Sequence, residues 1–233
     1  MKIYIGHDRE QAVATDVCEF SIHKYTKYPV HTERLDISEL RETGAYYRPD
    51  GSPASTEFTY TRFLVPYLND YKGWAMFVDS DFLFAGDVTN MWDEYIMSDP
   101  HQDETAVYCV KHMHYEPKND TKFWGMKQHS FPRKNWSSLM IFNCSHPSVK
   151  KLTPLTIANQ SPQWLHRFGW CKDEEIGYIS YKWNWLVGEY GKSERMPPKA
   201  LHFTNGGPWN DVWGQDYEEY WCATYFEMTG NIF

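Results

Sequence analysis

The chain begins with a short apolar run, a helical segment and a second apolar run in succession. The run 2–6 (KIYIG) ends at the polar pair His7-Asp8, which predicts a strand followed by a loop. Apolar side chains then recur at helical spacing over 12–22, and 30–37 (VHTERLDI) is a second candidate strand. A strand, a helix and a strand in this order predict a β-α-β beginning, which is typical of α/β folds.

The same alternation continues along the chain. Residues 56–68 place apolar side chains on one face of a predicted helix and Arg62 on the opposite, polar face, which favours a solvated arginine. A helix is predicted at 88–97, and strands are predicted at 105–110, 137–144 and 199–203. We therefore expect a layered α/β fold around a mainly parallel sheet.

The composition limits the class of protein. A chain of 233 residues with 42% hydrophobic residues supports one domain with a substantial core. The formal net charge of -8 argues against a nucleic-acid partner and against an anionic membrane surface. Five cysteines without a C-x-x-C pair indicate neither a disulfide framework nor a structural zinc site. With no stretch near the ~18 apolar residues of a membrane span, we expect a soluble, cytoplasmic protein without an integral membrane segment.

Two carboxylates, Asp79 and Asp81, interrupt the apolar stretch 73–86 and form the only D-x-D in the sequence. They follow the run 74–78, and open α/β sheets bind ligands at the carboxyl ends of their strands. Two carboxylates this close repel each other and cost several kcal/mol to bury unless a cation compensates them. The pattern favours a divalent metal with positions left for diphosphate oxygens, and a solvated turn is the alternative.

A histidine and a glycine pair follow the last predicted strand. His202 is by itself a weak indication of a metal ligand, because most histidines of this kind are partly buried without one. Gly206 and Gly207 allow a close backbone approach, and exposed N–H groups of such a turn can hold phosphate.

His112 and His114 are a second possible metal pair. They lie in the polar, basic stretch 112–136, which we interpret as an excursion over a binding face. With no third ligand at motif spacing, a surface location is the favoured interpretation for both.

Large aromatic side chains recur every fourth residue near the carboxyl terminus, at Trp209, Trp213, Tyr217, Trp221 and Tyr225. This spacing predicts one face of a helix. A helix lying on a membrane would carry Lys or Arg on its other face, but none occurs after Lys199. We therefore expect the stripe to pack on the domain.

Taken together, these segments resemble the GT-A-fold nucleotide-sugar glycosyltransferases, and most closely the family-8 type. The most specific part of this resemblance is the apolar D-x-D block together with the later His-x-x-x-Gly-Gly-Pro-Trp. The segments that carry the resemblance are IYIGHD (3–8), VCEFSI (17–22), TYTRFLVPYL (59–68), FVDSDFLFAGDV (77–88), SSLMIFNC (137–144), KDEEIGYISYKWNWL (172–186) and LHFTNGGPW (201–209).

The resemblance implies a GT-A (Rossmann-like) α/β/α sandwich that is a single domain over 1–233. Its nucleotide-binding half would be 1–110, and its acceptor-side half, with the aromatic carboxyl-terminal helix, would be 111–233. Such a fold would use a nucleotide-sugar donor and a sugar acceptor.

The resemblance also implies roles for individual residues. Asp79, Asp81 and His202 would hold Mn²⁺ or Mg²⁺. Asp173 and Glu174 would lie beside the reacting sugar as catalytic residues. Asp8 would contact the nucleotide base of the donor, Arg62 would reach the donor from its helix, and Ser137 and Ser138 would line the sugar site. The full predicted donor-binding set is Gly6, His7, Asp8, Arg62, Asp79, Ser80, Asp81, Ser137, Ser138, Gly206 and Gly207.

The sequence departs from the family pattern at a few positions. The lysine that the family carries between its glycine and Pro-Trp is absent here, since Gly207 is followed directly by Pro208. Lys192 or Lys199 could supply that charge instead. Two further positions differ from the usual residues, namely Gln11 for a tyrosine and Trp136 for an asparagine.

The predicted function is a metal-dependent glycosyltransferase that moves a sugar from a UDP-sugar to a glycan, a lipid-linked sugar or another hydroxyl acceptor, with retention of configuration. An inverting reaction with Glu174 or Asp211 as general base is an alternative. A Mg²⁺-dependent phosphohydrolase would use Asp79 as nucleophile and Asp81 as acid and base, but its expected threonine is Leu83. A non-catalytic carbohydrate-binding module is the third interpretation.

Overall fold

Nine strands form two sheets in the part of the chain that the computed structural model describes, residues 2–52, 54–113, 125 and 131–233. The larger sheet contains six strands, which are β1 (Lys2–Gly6), β2 (His31–Leu35), β3 (Trp74–Val78), β5 (Val107–Cys109), β6 (Leu139–Asn143) and β7 (Ile176–Tyr178). The smaller sheet contains β4 (Phe82–Phe84), β8 (Trp185–Leu186) and β9 (Ala200–His202).

Short helices connect these strands. They are α1 (Ala12–Tyr25), α2 (Ile37–Glu42), α3 (Val65–Leu68), α4 (Pro154–Asn159), α5 (Pro162–His166) and α6 (Glu218–Thr229). Within the described ranges, we find no helix with the length and apolar character that crossing a membrane requires.

The six strands run in the order β2-β1-β3-β6-β5-β7, and β6 is the strand of this sheet that opposes the rest. The prediction of a mainly parallel sheet is therefore confirmed. Val78, the last residue of β3, pairs with Leu139, the first residue of β6. The carboxyl ends of β1 and β3 and the amino end of β6 consequently meet at one edge of the sheet.

Strand β3 shows why its sequence is apolar throughout. Ala75 and Phe77 pack into one core cluster, whereas Met76 and Val78 pack into another on the opposite face. All four side chains are fully buried. Both faces of a sheet that is covered by helices need apolar residues, so the run does not alternate.

Helices cover both faces of the sheet. Cys18 and Ile22 of α1 join the cluster on one face, and Ile157 of α4 and Leu165 of α5 join the cluster on the other. The expected α/β/α sandwich is therefore confirmed.

Several predicted elements are shorter than expected. The candidate strand at 30–37 ends at Leu35, because the Asp36 side chain accepts hydrogen bonds from the backbone N–H groups of Ser38 and Glu39 and caps α2. The predicted helix at 56–68 is a 3₁₀ turn, Thr61–Leu64, followed by the single turn of α3.

The predicted helix at 88–97 contains a π-type turn, Trp92–Met97. The structure also contains strands that the sequence analysis does not predict, namely β4, β7 and β8.

The aromatic stripe is not one helix. Tyr217 adopts a left-handed backbone conformation (φ 68°), and α6 begins only after it. The Trp221 ring is 1% exposed and lies 5.1 Å from the Trp209 ring and 5.7 Å from the Tyr225 ring. Trp213, by contrast, is 52% exposed. The prediction that the tail packs on the domain is confirmed, whereas the continuous helix is wrong.

Candidate metal centre

The turn 79–81 joins the two sheets. The backbone N–H of Asp79 donates to the carbonyl of Ser138 at 2.9 Å, which extends the β3–β6 ladder by one residue. The carbonyl of Asp81 accepts from the N–H of Phe203 at 3.0 Å, which extends the ladder of the small sheet. Ser80 between them is 1% exposed. The apolar stretch is therefore two strands of different sheets, and the carboxylates lie at their junction.

Asp79, Asp81 and His202 form a compact group. One ligand atom from each residue lies within 4.8 Å of the others. His202 is 2% exposed, and its Nε2 is 3.3 Å from the Asp81 Oδ1. The strand register places His202 opposite Phe82, whose ring stacks on the imidazole at 4.5 Å. Two distant parts of the chain thus come together here, as the resemblance implied.

Arg62 supplies a positive charge to this group. Its Nη1 is 2.8 Å from the Asp79 Oδ1, and both side chains are largely buried, 8% and 12% exposed. The same Nη1 donates to the carbonyl of Ser137 at 2.9 Å, and the guanidinium lies over the Phe58 and Phe77 rings. The expectation of a solvated arginine is wrong, because the turn Thr61–Leu64 is buried on every side and its arginine is received by Asp79 and by the carbonyl of Ser137.

The electrostatics of the group call for a further cation. Burial raises the pKa of the Asp79 carboxyl above its ordinary value, the Arg62 guanidinium opposes that rise, and the neighbouring Asp81 adds to it. Two carboxylates held this close together in a buried site repel each other, and a divalent cation would compensate that repulsion. Two carboxylates and one imidazole are ligands that suit Mn²⁺. The residues present therefore fit a divalent metal.

Ser137 and Ser138 lie beside Arg62 at the start of β6. The Ser137 hydroxyl is 2.8 Å from the Nδ1 of His166. Burial, with the Arg62 charge as a second cause, lowers the pKa of His166 to about 3. The Ser138 hydroxyl donates to the carbonyl of Asn135 at 2.7 Å. Both serines are buried and both are held by the protein.

The loop after β1 is built by its own backbone contacts. The two Asp8 oxygens accept from the N–H groups of Glu10 at 3.1 Å and Glu57 at 3.2 Å. The His7 Nδ1 is 3.2 Å from the Thr15 hydroxyl. Gly6 has no space for a side chain, since a Cβ would lie 2.6 Å from the Phe58 ring. These contacts fix the loop and leave the predicted base-binding role of Asp8 as a prediction.

The glycine turn after β9 lies next to that loop. The Trp209 Nε1 donates to the Gln11 Oε1 at 3.1 Å, which ties the two segments together. Gly206 has φ 93°, a value that L side chains rarely adopt. A Cβ on Gly207 would lie 2.3 Å from the Trp209 ring. The turn requires glycine at both positions for these conformational and packing reasons.

Neither lysine considered as a replacement for the family lysine contacts the group. The Lys192 Nζ pairs with Glu219 at 2.7 Å, and the Lys199 Nζ pairs with Glu94 at 2.6 Å. Arg62, by contrast, pairs with Asp79.

Asp173 and Glu174 occupy a different environment. They lie in a 3₁₀ turn that precedes β7, and their side chains are 80% and 74% exposed. Asp173 pairs with the Arg133 Nη2 at 2.6 Å, and this contact lowers its pKa. Glu174 lies 3.9 Å from the Lys172 Nζ. Their catalytic role stays a prediction that rests on the resemblance.

His112 is not on the surface. It is 6% exposed, and its Nδ1 is 2.7 Å from the Tyr190 hydroxyl. Burial, followed by the nearby His202, lowers its pKa to about 3. The surface interpretation is wrong for His112, while His114 and most of the excursion 112–136 lie outside the described residues.

Sequence reasoning missed Asn184. This side chain is fully buried, and its Oδ1 lies 2.8 Å from the His202 Nδ1. The available signal was a lone amide inside the apolar segment 183–187 (WNWLV), where a buried polar group needs a partner.

The fold is that of the GT-A glycosyltransferases. The glycosyltransferase GlyE of Streptococcus pneumoniae superposes with a TM-score of 0.59 over 96% of this chain and 59% of its own, at 14% identity. The galactosyltransferase LgtC, in complex with donor and acceptor sugar analogues, gives a TM-score of 0.59 over 98% of this chain and 96% of its own, also at 14% identity. The chain thus spans about three-fifths of GlyE and nearly all of LgtC.

The nearer sequence relationship is to a plant protein. Protein CDI of Arabidopsis thaliana is 45% identical over 215 residues, which cover 91% of this chain and 80% of that protein. The chain therefore belongs to the same family as Protein CDI. No protein-family model matches the sequence.

Proposed function

We propose that this chain is a metal-dependent glycosyltransferase that takes a sugar from a nucleoside-diphosphate sugar, with a UDP-sugar as the preferred donor. The observation that carries the proposal is the buried Asp79, Asp81 and His202 group at the junction of the two sheets. The GT-A fold supports it, because the group lies where such an open sheet binds its ligands.

Asp79, Asp81 and His202 would hold Mn²⁺ or Mg²⁺, which supplies a Lewis acid for the negative charge on a diphosphate leaving group. Arg62 keeps one fixed positive charge beside Asp79. Because it is held by the carbonyl of Ser137 and by two phenylalanine rings, this charge needs no reorganisation during a reaction.

The remaining contacts suit a nucleotide-sugar site. Ser137 and Ser138 would line the sugar site at the edge of the sheet, as the resemblance implies. The loop after β1 and the glycine turn 206–207 lie side by side and would flank the nucleotide. Asp173 and Glu174 would act on the sugar or the acceptor, as the resemblance to the family-8 type implies, and we expect retention of configuration.

The acceptor would be a glycan, a lipid-linked sugar or another hydroxyl compound. We further propose a reducing compartment such as the cytoplasm, because all five cysteines are free.

The proposal can be tested with a panel of UDP- and GDP-sugars, with and without Mn²⁺. We expect one UDP-sugar to raise the melting temperature and to release free sugar only when Mn²⁺ is present. Asp81→Asn should abolish both effects, whereas Asp103→Asn, a change at an exposed site, should leave them intact.

Other outcomes would point elsewhere. Release of phosphate from a simple phosphomonoester would support the phosphohydrolase, and glycan binding that ignores the metal would support the carbohydrate-binding module. Normal donor turnover by Asp81→Asn would contradict the proposal.

A further inference from the structure

Asn184 lies between His202 and a fixed carbonyl. The residue directly precedes β8 and is 0% exposed, so each polar atom of its amide needs a partner. Its Nδ2 lies 2.8 Å from the Ser138 hydroxyl and 3.4 Å from the carbonyl of Asn135, and its Oδ1 lies 2.8 Å from the His202 Nδ1.

The direction of these hydrogen bonds follows from the carbonyl of Asn135. A carbonyl can only accept, so the Ser138 hydroxyl, 2.7 Å away, donates to it. The hydroxyl then offers a lone pair to Asn184, and the amide turns its NH₂ group toward Ser138 and Asn135. The Asn184 Oδ1 is thereby left to face His202.

The orientation of the amide fixes the proton on His202. An amide oxygen can only accept, so the His202 Nδ1 carries the hydrogen and donates it to Asn184. The Nε2 is then the nitrogen with a free lone pair, and it is the one that lies 3.3 Å from the Asp81 Oδ1. This lone pair is the atom that a metal requires from a neutral imidazole.

We propose that Asn184 is a positioning residue that holds His202 in its Nδ1–H tautomer and so presents the Nε2 to the metal. Nothing in the sequence pattern of the D-x-D block or of the His202 segment assigns this role. The inference deepens the proposed function and rests on it for its biological meaning.

The reversed orientation of the Asn184 amide would place the His202 proton on the other ring nitrogen. If the amide were reversed, its oxygen would face the carbonyl of Asn135, which is 3.4 Å from the present Nδ2. His202 would then carry its proton on Nε2 and donate it to Asp81. That contact would block the nitrogen from a metal and would occupy one of the carboxylates.

The tautomer can be measured directly on the metal-free protein. Histidine labelled with ¹⁵N gives long-range ¹H–¹⁵N correlations that distinguish the two neutral tautomers, and they are recorded at a pH above which the His202 nitrogen shifts no longer change. The His202 signals are assigned by their absence in His202→Asn. We expect the Nδ1–H pattern in the native chain and its loss in Asn184→Ala.

A second experiment measures the binding of Mn²⁺ alone by titration calorimetry. We expect Asn184→Ala to weaken Mn²⁺ binding by about tenfold to hundredfold, the usual cost of losing such a supporting contact. Asn143→Ala is the matched control, because Asn143 is also buried but lies at the far end of β6. It should leave both the tautomer and the Mn²⁺ affinity unchanged.

Asn184→Asp keeps the test decisive if the alanine variant does not fold. The carboxylate retains the acceptor for the His202 Nδ1, and the Ser138 hydroxyl can rotate to donate to it. We expect this variant to keep the Nδ1–H tautomer and to bind Mn²⁺.

The proposal is overturned if native His202 shows the Nε2–H pattern, if Asn184→Ala binds Mn²⁺ like the native chain, or if Asn184→Asp loses the Nδ1–H tautomer. Neither measurement uses a sugar donor. A chain that transferred no sugar would contradict the proposed function and still decide the role of Asn184.

Discussion

Two acidic pairs of this chain look alike in sequence and differ in their surroundings. Asp79 and Asp81 lie at the junction of two sheets, where Asp79 is 12% exposed at its side chain and pairs with a buried arginine. Asp173 and Glu174 lie on an exposed turn, and their partners Arg133 and Lys172 also reach water. The comparison shows that burial, and not the presence of two acidic residues, decides which carboxylates need a cation.

The physical reason is desolvation. A buried carboxylate loses its hydration and must regain that free energy from fixed charges or a metal, whereas an exposed one keeps its water. The first pair is therefore suited to holding a metal. The second pair can act on a bound sugar only if substrate binding brings it out of water.

Replacing Arg62 should cause the largest loss of stability. Arg62→Met leaves Asp79 buried without its guanidinium, so we expect the free energy of unfolding to fall by about 3–5 kcal/mol. Chemical denaturation of the metal-free protein measures this loss.

The matched control is Arg133→Met, which removes the arginine that pairs with the exposed Asp173. We expect a much smaller loss, because water replaces that contact. Equal losses of unfolding free energy in the two variants would contradict the inference that a buried carboxylate depends more on its cation than an exposed one.

Replacing a carboxylate of the buried pair should remove metal binding. Asp81→Asn takes away one ligand and its charge, so we expect the affinity for Mn²⁺ to fall by at least about a hundredfold. Titration calorimetry with Mn²⁺ alone measures this change. An affinity close to that of the native chain would show that the group does not bind the metal.

His166, whose pKa is lowered in the folded protein, should make the protein less stable in acid. Its pKa is about 3 in the folded protein, and the unfolded chain takes up the proton near about 6.5. The unfolded state therefore binds more protons between these values, and the free energy of unfolding falls by about 1.4 kcal/mol for each pH unit below about 6.5.

His166→Gln should make this pH dependence shallower, and denaturation at several pH values measures it. His101→Gln is the control for the substitution itself, because His101 is exposed. A slope that His166→Gln does not change would contradict the lowered pKa of this imidazole.

The exposed pair should give the smallest effects on metal binding and stability. We expect Asp173→Asn and Glu174→Gln to change the Mn²⁺ affinity by less than about twofold, because water surrounds both carboxylates. If the predicted catalytic role is correct, sugar transfer slows while Mn²⁺ affinity stays constant. Unchanged transfer rates in both variants would remove them from the mechanism.

The sequence by itself determined the local features of this protein. The apolar run before Asp79 specified a buried strand, the carboxylates marked its end, and the β-α-β beginning indicated an α/β fold. These features depend on side chains close together in the chain, so their periodicity can be read directly. The resemblance to a known family added His202 as the third ligand.

Only the tertiary structure decided the features that join distant segments. Arg62 meets the carbonyl of Ser137, and Asn184 meets Ser138 and His202, across many residues of sequence. A helical projection placed Arg62 in solvent, and the lone amide of Asn184 in its apolar segment indicated a buried polar group without indicating its partners. Burial and pairing depend on which strands become neighbours, and local periodicity carries no information about that choice.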